Sequence, residues 1–68
     1  MKLQYDANKV RTARIKRRWT QTELARRAGL SVVAVWKVEN GKGPWLKAIH
    51  EIEQVLGITD VIKTRQSA

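Results

Sequence analysis

The sequence predicts an all-α fold, a compact bundle of about five short helices, two of them joined by a tight turn. Three observations lead there. Apolar residues recur at helical spacing along most of the chain, and no stretch alternates as a strand would. Side chains that start helices stand at Asp6, Thr20 and Ser31, and glycines that stop them at Gly29 and Gly57. The chain has 68 residues, one domain at most, with a core so small that short local helices suit it best. The whole of 1–68 is therefore read as a single domain, with 1–5 and 63–68 expected to be loose ends, of which only Leu3 or Tyr5 would pack on the domain.

Taken in order, Asp6 caps a first helix that should reach about Arg18. Val10 and Ala13 share one face with Arg14 beside them, and Ile15 falls outside that stripe. Trp19 is expected to bury its ring under the next helix, where its indole N–H would need an acceptor. Thr20 and Glu23 have the spacing of a capping box, so the second helix begins at Gln21, with Leu24, Ala25 and Ala28 on its inner face. Gly29 supplies a turn that needs positive φ. Ser31 caps the third helix, which turns Val35 and Val38 inward, together with Leu30 ahead of the cap. Val32, Val33, Trp36 and Lys37 are left on its outside. Two short helices around such a turn, the second with an unusually apolar outer face, form a helix-turn-helix pattern.

Asn40-Gly41-Lys42-Gly43-Pro44 then breaks the chain, and Pro44 suits the first position of a fourth helix. Leu46, Ile49, Ile52, Val55 and Leu56 are expected to cover the core from the other side. Gly57 stops that helix, Ile58 tucks in behind it, and Thr59 with Asp60 starts one last helical turn holding Val61 and Ile62.

The formal charge is +8, and it is regional: residues 1–27 carry nine Lys or Arg and two acids, a net of +7, whereas residues 28–68 carry five bases and four acids, a net of +1. Such an imbalance points to a polyanion, either nucleic acid or an anionic membrane surface; the alternative is a solvated basic helix that aids solubility. A membrane-surface peptide fits poorly, because Gly29, Gly41, Gly43 and Pro44 interrupt any long amphipathic helix. The absence of cysteine excludes disulfides, thiolate metal sites and cysteine nucleophiles. No apolar run approaches the roughly 20 residues that span a bilayer, and no signal-peptide core opens the chain, so a cytoplasmic protein is expected. His50 has only Glu53, read as exposed, at ligand spacing, so no metal site is expected. Glu51 and Glu53 face different sides of their helix and make no catalytic pair, and Gly41-Lys42-Gly43 lacks the spacing of a phosphate loop. Neither an enzyme nor a cofactor is indicated.

The residues also carry a pattern. Arg14, then Trp-Thr-Gln-Thr-Glu-Leu-Ala-Arg-Arg-Ala-Gly-Leu-Ser from Trp19 to Ser31, Val35, Val-Glu-Asn-Gly-Lys from Val38 to Lys42, Pro44, Leu46, Ile52 and Val-Leu-Gly-Ile from Val55 to Ile58 occur in order. This closely resembles the Cro/repressor-type, phage repressor-like helix-turn-helix family over about residues 8–58. The resemblance implies a five-helix domain that binds operator DNA, commonly as a homodimer. It implies base contacts from Ser31, Val32, Val33 and Lys37 in the major groove, and backbone contacts from Gln21, Asn40 and Lys42; Arg18, on the basic surface at the end of the first helix, is assigned to the phosphates with them. It implies that Arg14 and Glu39 form a buried structural ion pair. Independently of the family, Val32 and Val33 suit the C5-methyl of thymine, and Lys37 can donate to guanine or to a phosphate; the alternative is that both valines pack on a helix of this chain or a partner.

The chain departs from the pattern at Arg17, Trp36 and Trp45, where the family more often has an apolar residue, a small or polar one, and serine respectively. Trp36 is assigned to the edge of the DNA or to a partner, and Trp45, Val61 and Ile62 to a dimer contact. The function expected is a sequence-specific, double-stranded-DNA-binding transcriptional regulator, a repressor acting as a dimer on a palindromic operator. The second reading is an antitoxin that binds a toxin protein and its own operator. A further protein partner, toxin or polymerase, fits either reading; a small-molecule substrate fits neither.

Overall fold

The computed structural model describes residues 5–42, 46–59 and 61–62. Four α-helices occur among them: α1 (Ala7–Lys16), α2 (Gln21–Ala28), α3 (Val32–Glu39) and α4 (Leu46–Leu56). The expectations for loose ends at 1–4 and 63–68, for Leu3, for Pro44 opening the fourth helix, and for Trp45 and Asp60 fall outside the described residues.

The first three helices start in the same way. Asp6, Thr20 and Ser31 each accept, through a side-chain oxygen, the backbone N–H three residues on, at 3.1, 3.1 and 3.0 Å. This satisfies one of the donors that a helix start leaves unpaired. Before each cap stands Tyr5, Trp19 or Leu30, and five residues later Val10, Leu24 or Val35, the positions of a hydrophobic staple. All three leading residues pack on the core.

The four helices also end alike. The N–H of Trp19, Leu30, Lys42 and Ile58 each reaches back five residues, to the carbonyl of Arg14, Ala25, Lys37 and Glu53 respectively. That closure puts the preceding residue in the left-handed region: Gly29, Gly41, Gly57 and, at the end of α1, Arg18 with φ 59°. Arg18 therefore lies outside α1, which stops at Lys16, two residues short of the sequence-based boundary. A left-handed terminator without glycine leaves no mark in the sequence.

α3 packs against each of the other helices. The core is built from Val10 of α1, Leu24 of α2, Val35 and Val38 of α3, and Ile49, Ile52 and Leu56 of α4, all without exposed surface. Leu46, expected among them, is 50% exposed, and Ala48 takes the inward place instead. Val55 is only half-buried, and Ile15 lies outside the core, as its position off the stripe implied.

The last turn of helix expected at 59–62 is absent from the described residues. Val61 and Ile62 run alongside the start of the chain instead. Asp6 N–H donates to the Val61 carbonyl at 2.7 Å, and Tyr5 pairs with Ile62 in a single antiparallel bridge. Tyr5 is anchored further by its hydroxyl, which donates to the Val38 carbonyl at 2.7 Å, so it is not a loose end. Glu53, read as exposed, is half-buried and accepts the Val61 N–H at 3.3 Å. β-branched Val61 gains more from closing the core here than it would from a short terminal helix.

Candidate nucleic-acid interface

Glu39, at the end of α3, holds the motif together. It is 3% exposed, and a carboxylate that deep in a protein needs charged or hydrogen-bonded partners. Arg14 supplies two bonds, Nε to Oε2 at 2.7 Å and Nη2 to Oε1 at 3.1 Å. Gln21 Nε2 donates to the same Oε1 at 3.1 Å. Arg11 stands outside them, with Nε 3.8 Å from Oε1 and Nη2 donating to the Glu39 carbonyl. Arg14 also donates from Nη1 to the Trp19 carbonyl at 2.8 Å, fixing the loop that enters α2. One buried carboxylate thus joins α1, the first residue of α2, and α3. The participation of Arg11 was missed in the sequence, although its position three residues before Arg14 puts both on one face of α1.

Tying the bundle to Glu39 on its inner side fixes how α3 presents its outer side. Val35 and Val38 are buried, while Val32 is 42%, Val33 60% and Trp36 45% exposed. Lys37 is half-buried beside them. Ser31 stands exposed at the start of α3, its hydroxyl oxygen taken by the Ala34 N–H. At the other end the Asn40 side-chain amide turns back to the Trp36 carbonyl at 2.8 Å, so one of its donors is spent on the helix itself. Lys42 is exposed just beyond. Gln21, at the opening of α2, keeps its second amide hydrogen beyond the bond to Glu39. Of the residues assigned to a dimer contact, Val61 is corrected: it is fully buried in the core and has no surface to offer. Ile62 is half-buried beside Tyr5.

Trp19 is not enclosed under α2 as the sequence reading had it. Its half-buried ring packs on the core from one side and meets two cations, with the Arg27 guanidinium carbon 4.5 Å and that of Arg17 5.6 Å from the ring centre. Arg27 and Arg26 also pair with Glu23, which they hold below the ordinary carboxylate range, Arg26 contributing most. Lys16, Arg17 and Arg18 are exposed, giving the end of α1 and the loop into α2 a dense positive surface.

The Helix-turn-helix family model matches residues 10–61, which takes in α2, α3 and α4 and most of α1. The chain belongs to the Cro/C1-type helix-turn-helix family. This family is one of DNA-binding transcriptional regulators, and α2 and α3 are the motif that gives it its name. Among solved structures, the helix-turn-helix domain is similar to the crystal structure of the hypothetical transcription factor NHTF from Neisseria. The two are 33% identical with a TM-score of 0.71; the match covers 79% of this chain and 62% of that one, so this chain spans less than two thirds of that protein's length. A comparison with curated proteins gives no match. Among the described residues, no helix of the helix-turn-helix domain is long and apolar enough to cross a membrane.

Proposed function

We propose that this chain is a sequence-specific repressor that binds a palindromic operator as a homodimer in the cytoplasm, without a catalytic step. The observation that carries the reading is α3 itself. Its inner face is buried down to the carboxylate of Glu39, yet its outer face exposes Val32, Val33 and Trp36. An apolar face on the second helix of a helix-turn-helix, beside a strongly basic flank, suits the floor of a DNA major groove between two rows of phosphates. In this reading Ser31, Val32, Val33 and Lys37 face the bases. Gln21, Arg18, Lys42 and Asn40 hold the phosphates, Asn40 with the donor left over from its bond to Trp36. Ile62 and Trp45 remain the candidates for the dimer contact.

Selection of bound sequences from random duplex DNA tests this. A palindrome with half-sites centred about 10 base pairs apart is expected, since two recognition helices then enter successive major grooves on one face. A single asymmetric site would remove the dimer, and failure to enrich any sequence would remove the function.

A further inference from the structure

The outer face of α3 is more hydrocarbon than hydrogen-bonding group. Trp36 lies four residues after Val32 and three after Val33, so the three side chains are neighbours on one helix surface. At 1.5 Å per residue the stripe is about 6 Å long, enough to pass over roughly two base steps of 3.4 Å. The polar groups at its two ends are partly occupied by the chain. The Ser31 hydroxyl accepts from Ala34, and the Asn40 amide donates to the Trp36 carbonyl. That same carbonyl also takes the Asn40 backbone N–H at 3.0 Å, which fixes the end of α3 on which Trp36 is carried.

In the major groove the apolar feature of the bases is the methyl group at pyrimidine C5. Thymine carries it. 5-Methylcytosine carries the same group at the same ring position, and the two bases differ at C4, where thymine has an acceptor oxygen and cytosine a donor amine. Valine has neither donor nor acceptor with which to sense that difference, and an indole face has little more. We infer that the Val32–Val33–Trp36 stripe reads a C5-methyl without distinguishing thymine from 5-methylcytosine, so that cytosine methylation converts a poor site into a good one. The inference rests on the proposed DNA-binding reading and adds a dependence on the methylation state of the DNA.

The test uses the full chain and duplexes derived from its selected site. At each thymine in turn, T·A is replaced by U·A, C·G and 5-methylcytosine·G, and affinities are compared at one salt concentration. At the contacted positions, thymine and 5-methylcytosine are expected to bind alike, and uracil and cytosine to bind about fourfold more weakly for each methyl lost. Val33→Ala and Trp36→Ala should shrink that ratio towards one with unchanged melting, because both side chains are exposed. Equal binding to all four bases at every position would overturn the inference and leave DNA binding standing. Thymine preferred over both cytosine forms alike would also overturn it, since hydrogen bonding would then be the discriminator. A chain that binds no duplex removes the proposed function, and the inference with it.

Discussion

Gln21 and Arg14 donate to one oxygen, Oε1 of Glu39, from different helices and each at 3.1 Å. The residue that opens α2 and the guanidinium that anchors α1 are therefore set by the same acceptor. Among the described residues no buried side-chain polar atom lacks a partner, so each buried polar atom around Glu39 has at least one hydrogen bond. Such a network is costly to break from one side only.

Arg14→Ala should be strongly destabilising. It leaves a carboxylate whose side chain has no exposed surface without its main cation, a change worth about 3–5 kcal/mol. For a domain of this size that is a large share of the total stability. Thermal melting should fall sharply, and DNA binding should be lost in proportion to the unfolded fraction. An Arg14→Ala chain with unchanged melting but no DNA binding would move Arg14 into the interface.

Arg18→Gly should separate stability from binding. Arg18 holds φ 59°, which strains any residue with a Cβ; glycine removes that strain and gives back part of the gain as freedom of the unfolded chain. Stability should rise by about 0.5–1 kcal/mol. If about six phosphates are neutralised, the plot of log affinity against log salt for the parent has a slope near −5, and losing Arg18 should shrink it by about 1. A slope unchanged by the substitution would take Arg18 off the phosphate backbone.

Val33→Ala should leave folding alone, since the side chain touches solvent more than core. Valine is stiff about its first side-chain bond, so little order is lost when it docks. The substitution should cost about 0.8 kcal/mol of discrimination, the fourfold carried by one methyl, at one base step while binding to unrelated duplexes stays nearly constant. Competition titrations against a single-step mutant site measure it, and an equal loss on all sequences would make Val33 a packing residue.

Stability should fall at acid pH partly through Glu23. Hydrogen bonds from Arg26 first and Arg27 second lower its pKa in the folded chain below the ordinary 4.5. The contribution is present above the unfolded value and is lost as pH falls through the depressed folded value. Glu23→Gln should therefore melt lower than the parent at pH 7, with the gap closing in acid. A gap that stays constant with pH would show that the charge of Glu23 does not matter.

Much of the fold was legible because its signals are local. Thr20, Gly29 and Ser31 act within four residues of themselves, and the burial of Val35 and Val38 follows from helical period alone. The fate of the chain end was not local. Thr59 and Val61 read equally well as a helical turn, and the choice was made by Asp6, Tyr5 and Glu53, which lie elsewhere in the sequence. The same holds at the interface: exposure of Val33 and Trp36 follows from period, whereas the inward bond of Gln21 and the self-directed amide of Asn40 depend on where three helices meet. Trp19 misled because its apolar ring suggests enclosure, while two arginines from either side of it in the sequence supply the cover.

The pairing of Tyr5 with Ile62 has a mechanical side. Because the two segments are antiparallel, the N-terminal side of Tyr5 and the C-terminal side of Ile62 lie at the same end of the bridge. Tension applied between the two ends therefore peels the bridge open one bond at a time and never loads its bonds together in shear. The first pieces to come away are Tyr5, with its tether to α3, and Val61, the plug of the core. A pull on the ends would thus open the bundle at the seam that closes it, before any helix is stretched.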